Sequence, residues 1–563
     1  MKGIVLILFM SPLFAYAQDG WQWGKIGNNY GFTVDQMGHA VTDTSGNVFA
    51  TMTNSLGDSL RFDSVMLYNP DAYSQTVVVK YDSSGNLIWA TGTKNSNTRP
   101  IDLATDRAGN LYFYGEYESV FSLGTFTLTN AGAASGCLVK ISPTGNVLWA
   151  INTPNCIFGS IALDEAGNIY QSGDFNGLSA MIGTTTLYGQ GPVNVFLAKY
   201  NPEGVPVWGK SFGGNGNNYP TALAVGANGV AYLAAQSSIN AGTDTVHIGS
   251  TTLTNDFPDP ASGNNITYLA KCDSGGNVLW AVPQSNPLTI NAMLTDGSGA
   301  VYMTGAFDSA VTLGSYVFSK AFVTMGYYDA LIAKYDASGS VAWAKSAGSG
   351  AAATGFGITN DLCGNIWCCV AGSYGADSLN FDGHPFTTNP FSEDNPIIMI
   401  EYDASGDYLN GMMIASGGGE ANTDGCSIAV DNKGNFLLSG DYISSANNIV
   451  FGTDTVYGAS YASGENFFIA KYKYDTVCSS ALTVNTPAGP AQDITLYPNP
   501  VTSALTIASP GMIRTVTISD LLGRVIYNRQ YNSLQVDVDV TGLPAGVYLA
   551  KINGVEVRKF VKE

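Results

Sequence analysis

The chain contains few charged residues and little histidine. Charged residues make up 12% of its 563 positions, and its three histidines are His39, His247 and His384. These histidines are far apart, and none stands in an H-x-x-H or H-E-x-x-H motif. A zinc site or a Ser-His-Asp triad would need them to converge without any local motif. We therefore predict a surface position for each histidine and no catalytic constellation.

Basic residues are scarcer than acidic ones. Lysine and arginine number 24 against 44 aspartates and glutamates, which gives a formal net charge of −20. Before residue 480 the arginines are Arg61, Arg99 and Arg107. Binding to nucleic acid needs clustered basic side chains. The excess of acidic over basic residues therefore excludes nucleic acid as a partner and disfavours docking on anionic lipid.

Long hydrophobic runs are absent except near the N-terminus. The apolar stretch Ile4–Phe14 follows Lys2, and it is too short to cross a bilayer comfortably. A cleavage site of the A-x-A type follows at Ala15 and Ala17, so the mature chain is expected to begin at Gln18. We predict a signal peptide over residues 1–17, export from the cytoplasm and no transmembrane segment.

The cysteines and the possible metal-binding motifs predict little about disulfide pairing or cofactors. The eight cysteines follow no repeated spacing, and an exported protein with an even number of them can form disulfides. Cys363 and Cys368 flank one predicted hairpin and could pair across it, while the other pairings stay open. No D-x-D-x-D-G calcium loop is present. We predict no cofactor, with calcium at recurring turn aspartates as the alternative.

What the chain has is a repeat. Its first half is a short apolar strand that ends in a D-x-x-G-N turn, followed by an aromatic strand. The turns begin at Asp43, Asp106, Asp164, Gly226, Asp296, Asp361 and Asp431. The second half is a strand ending in Lys-Tyr-Asp, a Gly-Asn turn and a strand carrying Trp, as in residues 80–90. A worn copy at residues 401–411 carries Asn410 in place of the Trp.

The repeat predicts four strands, A to D, with turns where Asp starts the turn and Gly takes a positive φ. In the third copy we predict A over Ser160–Leu163, B over Asn168–Phe175, C over Phe196–Tyr200 and D over Val205–Lys210. The Trp of strand D is expected to pack between neighbouring copies. The recurring Lys of strand C is expected to have a structural role at the edge of each copy.

The two ends of the repeat complete one another. The last copy stops at Lys473 without a Trp strand, and an orphan Trp strand, Trp21–Lys25, stands near the N-terminus. This arrangement is typical of a closed propeller whose last blade is shared by both termini. We therefore predict an all-β fold with a seven-bladed β-propeller over residues 18–475.

Over residues 18–475 the repeat resembles the bacterial SBBP-type seven-bladed β-propeller repeat. The resemblance implies the propeller architecture and no particular ligand. The chain departs from the SBBP-type repeat at Gly226, which replaces a turn Asp, and at Asn410, which replaces a Trp.

A second module follows a linker over residues 476–492. Its motifs are Pro498-Asn499-Pro500, a segment ending in Gly523-Arg524, then Gly546-Val547-Tyr548, and a basic end that includes Lys559. Residues 493–563 closely resemble the type A C-terminal sorting domain of the type IX secretion system of Bacteroidota. The resemblance implies the secretion machinery as a partner and delivery to the cell surface or the exterior. Alternating residues such as 536–540 predict a small β-sandwich.

Function is predicted less directly. The B–C and D–A connections, such as residues 213–219, 236–265, 373–395 and 416–425, look long and variable, and such loops are the usual binding surface. The leading hypothesis is a non-enzymatic recognition or adhesion protein for a glycan, a matrix polymer or a protein. Alternatives are a polysaccharide-acting hydrolase or lyase with carboxylates at a central channel, and a structural display ring without a ligand.

Overall fold

The computed structural model describes most of the chain in two compact units. The units span Met1–Cys478 and Ser479–Glu563. The described residues are 20–29, 37–54, 59–62, 65–69, 73–94, 97–130, 134–154, 158–238, 245–254, 265–284, 288–319, 328–349, 352–372, 378–387, 397–415, 426–442, 448–451, 454–457, 466–474, 494–520, 525–553 and 556–563.

Every regular element among the described residues is a β-strand. Those of the first unit are β1 (Trp21–Asn29), β2 (Met37–Thr42), β3 (Val48–Asn54), β4 (Ser59–Phe62), β5 (Val65–Tyr68), β6 (Gln75–Tyr81), β7 (Leu87–Gly92), β8 (Thr98–Thr105), β9 (Leu111–Tyr117), β10 (Val120–Leu123), β11 (Phe126–Thr129), β12 (Ser135–Ile141), β13 (Val147–Thr153), β14 (Gly159–Leu163), β15 (Ile169–Asn176), β16 (Ser179–Ile182), β17 (Thr185–Tyr188), β18 (Val193–Tyr200), β19 (Pro206–Gly214), β20 (Asn217–Val225), β21 (Ala231–Ser238), β22 (Thr245–Ile248), β23 (Thr251–Thr254), β24 (Asn265–Cys272), β25 (Val278–Gln284), β26 (Leu288–Thr295), β27 (Val301–Phe307), β28 (Val311–Leu313), β29 (Tyr316–Phe318), β30 (Asp329–Tyr335), β31 (Val341–Ser349), β32 (Ala353–Asn360), β33 (Ile366–Gly372), β34 (Ser378–Phe381), β35 (His384–Thr387), β36 (Ile397–Tyr402), β37 (Tyr408–Ala415), β38 (Cys426–Val430), β39 (Phe436–Tyr442), β40 (Asn448–Phe451), β41 (Asp454–Tyr457) and β42 (Asn466–Tyr472).

These strands form four-stranded antiparallel arrays, as expected for a propeller. We number the arrays in chain order and label their strands A to D. Arrays one to seven are β2-β3-β6-β7, β8-β9-β12-β13, β14-β15-β18-β19, β20-β21-β24-β25, β26-β27-β30-β31, β32-β33-β36-β37 and β38-β39-β42-β1. The strands of array three lie within four residues of their predicted bounds.

Array seven combines the two ends of the first unit. Strand β1 pairs antiparallel with β42, with Lys25 opposite Ile469 and Gly24 opposite Ala470. The N–H of Lys473 donates to the carbonyl of Gly20 at 2.6 Å. The orphan N-terminal strand therefore supplies the fourth strand that the last repeat lacks.

The apolar core lies between neighbouring arrays. Phe49 of array one packs with Leu103 and Val139 of array two, and Leu437 of array seven packs with Val48 of array one. Each A strand also lies beside the A strand of the next array, and β38 lies beside β2. Strands covered on both faces explain the continuous apolar runs in the sequence.

The A–B turns fold as their local sequence predicts. In array one, Asp43 Oδ1 accepts the N–H groups of Ser45 and Asn47, both at 2.9 Å, and Oδ2 accepts the Asn47 side-chain amide at 2.7 Å. Gly46 takes a φ of 77°. The turn aspartates are thus engaged by their own turns. Among the described residues, no group of three or more His, Cys, Asp or Glu side chains is placed to hold a metal ion.

The Lys and Trp of one array fasten it to the next. In array one, the Lys80 ammonium and the Trp89 indole N–H both donate to the carbonyl of Pro143, each at 3.1 Å. Pro143 lies in the C–D turn of array two. Gly145 of the same turn has a φ of +87°, and a Cβ there would meet the Trp89 ring at 3.1 Å. The Trp therefore packs between arrays, as predicted.

Similar indole bonds recur at the other junctions whose next array has a C–D turn. The donor and acceptor pairs are Trp23–Ser83, Trp149–Pro202, Trp208–Ser274, Trp280–Ala337 and Trp343–Ala404.

Array six departs from this pattern because array seven has no C–D turn to accept such bonds. Glu401 stands where other arrays have Lys, and Asn410 stands where they have Trp. Tyr474 lies between them: its hydroxyl is 3.1 Å from Glu401 Oε2 and 3.2 Å from Asn410 Nδ2. Asn365 donates to the other oxygen of Glu401 at 2.8 Å.

Each B–C connection contains a short hairpin that the sequence analysis did not predict. The hairpins are β4-β5, β10-β11, β16-β17, β22-β23, β28-β29, β34-β35 and β40-β41. Three of them extend a sheet by pairing with the D strand of the preceding array: β4 with β1, β22 with β19, and β34 with β31.

Our loop assignments were therefore partly wrong. Residues 213–219 are not a long loop, because β19 ends at Gly214 and β20 begins at Asn217. Residues 236–265 and 373–395 contain hairpins. Residues 416–425 lie outside the described residues.

The Cys363–Cys368 disulfide, which the sequence allows, does not form. Cys369 is bonded to Cys426, which joins β33 to β38, and Cys368 is a buried free thiol. Cys363 is disulfide-bonded as well, but not to Cys368. Adjacent strand residues point to opposite faces, so only one of Cys368 and Cys369 can face β38.

The second unit contains five strands, which are β43 (Thr495–Tyr497), β44 (Ala504–Asp520), β45 (Val525–Asp539), β46 (Gly546–Ile552) and β47 (Glu556–Lys562). We predicted a small β-sandwich, but these strands belong to one hydrogen-bonded sheet. The long strand β44 pairs with β45 along one side, and with β43 and then β46 along the other. Its register shifts between Ala508 and Ile513 let both ends of the strand contribute to one core, which includes Leu505 and Ile518.

Candidate functional site

A cavity of about 790 Å³ lies along the A strands of the first unit. Its wall is built from β2, β8, β14, β20, β26, β32 and β38, together with Ser439 of β39. We call it the A-strand cavity. The fold therefore gathers side chains that are tens of residues apart in the sequence.

One residue of each A strand occupies an equivalent place in the wall, four positions before the start of the A–B turn. In array order these residues are His39, Asp102, Ser160, Ala222, Ala292, Gly357 and Ser427, and all of them line the cavity. Arrays seven, one, two and three supply Ser427, His39, Asp102 and Ser160, which we call the polar arc. Arrays four to six supply the small-residue arc of Ala222, Ala292 and Gly357.

Bulges beside this position turn further side chains into the cavity. The A strands of arrays two, four, five and six each carry one extra residue immediately before it, namely Ile101, Thr221, Asn291 and Phe356. A β-bulge bends its strand and re-aims a side chain. Thr221, Asn291 and Phe356 line the cavity as a result.

His39 and Asp102 are the ionisable residues of the polar arc. His39 Nδ1 is 3.6 Å from Asp102 Oδ1, and the side chains are 50% and 15% exposed. The backbone N–H of Ile161, in the next array, donates to Asp102 Oδ2 at 2.8 Å, and that of Leu103 donates to Oδ1 at 2.7 Å. Burial raises the pKa of Asp102, although His39 and these two N–H groups favour the charged form. Asp102 can therefore carry a proton at a higher pH than an exposed aspartate.

Aromatic side chains stand where the A strands begin. Phe158, directly before β14, is 49% exposed. Its ring centroid is 5.3 Å from that of Tyr219, with the ring planes 77° apart. Phe158 lines the cavity two residues before Ser160. Apolar and aromatic walls with a few placed polar groups are typical of small-ligand sites.

Two buried hydroxyl groups in the cavity wall are not hydrogen-bonded to any described residue. Thr221 Oγ1 and Ser439 Oγ are buried and have no hydrogen-bond partner among the described residues. Ser439 is only 1% exposed. Because most buried polar atoms are hydrogen-bonded, these two hydroxyls are unusual features of the cavity wall.

The A–B turns form smaller depressions, of about 580 and 380 Å³. Arg107 and Glu165 form an ion pair there at 2.9 Å, with side chains 74% and 59% exposed. Exposed pairs of this kind contribute little. These depressions are therefore weaker candidates for a binding site.

The other histidines serve local packing. The His384 ring stacks on Tyr408 with centroids 3.9 Å apart, and His247 Nδ1 lies 3.0 Å from Thr252 Oγ1 within its hairpin. His39 is the histidine in the A-strand cavity, so one of the three predicted surface positions has a candidate binding role.

The sorting motifs meet at the C-terminal strand of the second unit. Asn499 Oδ1 accepts the N–H of Val561 at 2.8 Å, and Asn499 Nδ2 donates to the carbonyl of Lys559 at 3.3 Å. The flanking Pro498 and Pro500 both follow cis peptide bonds. Tyr548 stands opposite Phe560 in the β46-β47 pair, and its ring stacks on Phe560 with centroids 5.7 Å apart.

Some of the remaining predicted motif residues lie in described strands, and others lie outside the described residues. Gly546 and Val547 begin β46 opposite Lys562 and Val561. Gly523 and Arg524 lie outside the described residues, as do the predicted cleavage residues Ala15, Ala17 and Gln18.

The sequence analysis missed the polar arc. Its residues carry no local motif, but aligning the repeats on their turn aspartates and reading the column four places earlier would have shown it. Imidazole, carboxylate and hydroxyl side chains stand beside alanine and glycine in that one column.

Comparison with known proteins identifies the second unit. Residues 495–563 match the Por secretion tail family, a secretion system C-terminal sorting domain. This match confirms the predicted sorting domain and implies interaction with the type IX machinery. The protein is thus a β-rich protein secreted by the type IX system across the outer membrane, to the cell surface or the extracellular space. Among the described residues, no helix is long and apolar enough to cross a membrane.

The first unit has more distant relatives. The chain is 22% identical over 435 residues to an uncharacterized WD repeat-containing protein of Acanthamoeba polyphaga mimivirus. The match covers 65% of this chain and 31% of that protein, so the chain spans about a third of the length of its curated relative. The likeness is to a WD-repeat-like β-propeller protein and does not distinguish the SBBP type.

Similar solved structures are also distant. PorZ, a surface component of the type IX secretion system of Porphyromonas gingivalis, is 11% identical, with 96% of this chain and 100% of that chain covered and a TM-score of 0.17. A protein of unknown function from Dyadobacter fermentans is 9% identical, with 80% and 99% covered and a TM-score of 0.36. At such TM-scores, neither structure informs the fold or the function of this chain.

Proposed function

We propose that residues 18–475 form a closed seven-bladed β-propeller of the SBBP-repeat kind, with each array as one blade. The succession of neighbouring A strands, with β38 beside β2, supports this proposal. So does the pairing of β1 with β42. Closure packs the last sheet against the first, as Leu437 packs with Val48, so neither array presents an uncovered apolar face.

We further propose that this propeller is a non-enzymatic recognition protein, displayed on the cell surface or released. It binds an extracellular ligand in the A-strand cavity. The polar arc carries the proposal. Packing favours the same residue type in every repeat, and three arrays satisfy this position with alanine or glycine. Packing gives no reason for His39, Asp102 and Ser160 to follow one another in adjacent arrays and to line a cavity together.

A glycan fits this cavity better than a charged polymer. Among the described residues that line it there is no Lys or Arg, so an anionic ligand would meet no side chain of permanent positive charge. Placed hydroxyl, carboxyl and imidazole groups beside aromatic rings suit a ligand rich in hydroxyls. Matrix proteins are the second ligand class to test.

The second candidate function is a polysaccharide-acting hydrolase or lyase, and the His39–Asp102 pair favours it. Two features weigh against it. Among the described residues that line the cavity, Asp102 is the one acidic residue, whereas hydrolysis of glycosidic bonds generally uses two carboxyl groups. In the order of the arrays, Asp102 also stands between His39 and Ser160, whereas a triad places the histidine in the middle.

Binding of the purified full-length protein to glycan and matrix-protein arrays tests the proposal. We expect at least one ligand whose binding is lost in Asp102→Ala and weakened in His39→Ala. The matched control is Tyr188→Ala, an exposed residue on β17 outside the cavity, 72% exposed. A ligand bound equally by all variants would place recognition elsewhere. Blank arrays would favour a display ring, and products released from polysaccharides would favour the enzyme.

A further inference from the structure

The two arcs of the A-strand cavity have different chemistry. The polar arc offers hydrogen bonds from His39, Asp102 and Ser160, while the small-residue arc offers apolar surface and room. The bulged Phe356 adds an aromatic surface to the arrays of the small-residue arc. A ligand that satisfies both sides needs one edge rich in hydroxyls and one apolar face. A pyranose ring has this combination.

The charge of the side chains that line the cavity restricts the class of ligand further. Since the part of the lining that the structure describes has no Lys or Arg, a uronate or a sulfated sugar would bring a negative charge close to Asp102 without a Lys or Arg partner there. A cationic ligand would have to compete for Asp102 with His39 and with the two backbone N–H groups that already bond it. An uncharged ligand avoids both costs, since unpaired charge away from water is expensive.

The geometry of the wall limits how a polymer can enter. Neighbouring A strands lie side by side all the way around, so a ligand must arrive along the cavity axis. Phe158 and Tyr219 stand at the end where the A strands begin, and the polar arc lies further along the strands. A cavity of about 790 Å³ is within the range of about 300–1,000 Å³ that holds small ligands. A polymer therefore reaches the polar arc with a chain end.

We propose that the A-strand cavity binds the terminal residue of a neutral glycan. The sugar ring packs on Phe158 near the entrance, and its hydroxyls bond the polar arc. This inference depends on the proposed recognition function and specifies its ligand class and binding mode.

The test measures binding of the full-length protein, by calorimetry, to linear neutral glucan, mannan and xylan oligosaccharides. A cyclic glucan serves as the ligand without ends, and an oligouronate as the charged ligand. We expect at least one linear neutral oligosaccharide to bind, competition by its free terminal monosaccharide, and at least tenfold weaker binding of the cyclic and charged ligands.

Variants locate the site. Phe158→Ala and Asp102→Asn are each expected to weaken binding at least tenfold. Ala292→Leu is expected to abolish binding by filling the small-residue arc. Tyr188→Ala is the control, and the thermal unfolding midpoint of each variant verifies that it is folded.

The outcomes separate this inference from the proposed function. If a protein, a charged polymer or the cyclic glucan binds and these variants abolish that binding, the cavity remains the recognition site. In that case the assignment of a terminal neutral sugar as its ligand is wrong. If oligosaccharide binding is unaffected by all three cavity variants, the assignment to the cavity is overturned. If nothing binds in either assay, the recognition function and this inference both fail.

Discussion

The hydroxyl of Tyr474 donates a hydrogen bond to the Glu401 carboxylate across the junction between arrays six and seven, at 3.1 Å. This bond stands where other junctions use a Trp, and at most of them also a Lys, that reaches the next C–D turn. Array seven takes its fourth strand from the N-terminus, so no C–D turn is available to accept them. Glu401 and Asn410 depart from the repeat. They are nevertheless suited to this junction, because β1 completes array seven without a C–D turn.

Tyr474→Phe is expected to destabilise the first unit by about 1–3 kcal/mol, because it removes a hydrogen bond to a charged group and leaves Asn410 without an acceptor. Tryptophan fluorescence during denaturation reports on this unit, since all eight tryptophans precede residue 479. Tyr188→Phe, at an exposed hydroxyl, is the control and should change nothing. Equal stability of the two variants would show that the Tyr474 bond contributes little.

Asn410→Trp restores the residue typical of the repeat, and we expect it to destabilise the protein. The larger ring would displace Tyr474, and its indole N–H would find no turn carbonyl to bond. Overpacking of this kind costs about 1–3 kcal/mol. The reverse change at an ordinary junction, Trp280→Asn, should also destabilise. An increase in the unfolding midpoint of Asn410→Trp would contradict this account of array six.

These cases show which parts of the fold the sequence could predict. The turns at Asp43 and its equivalents depend on hydrogen bonds within five residues, so their local motif was sufficient. Glu401 and Asn410 were interpreted as a worn copy because their partner Tyr474 is distant in the sequence and outside the repeat pattern. The hairpins of the B–C connections were missed, although Gly-Ser or Gly-Thr follows an apolar strand in several of them, as at residues 183–184.

The candidate site was harder to predict for a different reason. Ser160 and Asp102 carry no motif, and only the stacking of the A strands places them side by side. The disulfide pairing stayed open for a similar reason, because the partner of Cys369 is Cys426, 57 residues away. Proximity in the sequence is a poor guide where a strand pairs or packs with a neighbouring repeat.

The Cys369–Cys426 disulfide is expected to contribute up to about 4 kcal/mol, because a bond across 57 residues restricts the unfolded chain by roughly that amount. The double variant Cys369→Ala/Cys426→Ala should lower the free energy of unfolding of the first unit accordingly. Cys137→Ala, which removes one buried free thiol and no disulfide, separates the loss of the bond from the loss of side-chain volume. A double variant no less stable than Cys137→Ala would argue that the disulfide does not restrain the unfolded chain.

The Asp431–Lys471 pair predicts a pH dependence of stability. The two side chains lie 2.9 Å apart and are 0% and 1% exposed. Burial opposes the charged form of Asp431, but hydrogen bonds from Asn435 and Lys471 hold its pKa below the ordinary 3.8. Since the folded-state pKa is the lower one, the stabilisation is complete above pH 3.8 and is lost as the pH falls through the folded-state pKa.

Asp431→Asn tests this dependence. The variant should be less stable by about 3–5 kcal/mol at neutral pH, because Lys471 is left buried without its partner. It should also lose less stability than the wild type between pH 4 and pH 2. Asp407→Asn, at an exposed carboxylate, is the matched control and should keep the wild-type pH profile. Parallel pH profiles for Asp431→Asn and the wild type would show that this pair does not set the acid sensitivity.

Asn499→Ala is expected to loosen the C-terminal strand of the sorting domain. Asn499 bonds the backbone at both Lys559 and Val561, and its removal leaves those two groups to water at a cost of about 1–2 kcal/mol. Amide hydrogen exchange over residues 556–563 should become faster by roughly tenfold, the change that 1.4 kcal/mol of local stability gives when exchange follows local opening. Asn532→Ala, at an exposed position on β45, should leave that exchange unchanged. If the strand exchanges faster and the protein is still exported, secretion does not require a firmly held C-terminal strand; if export fails only in Asn499→Ala, the Pro-Asn-Pro motif acts by presenting that strand.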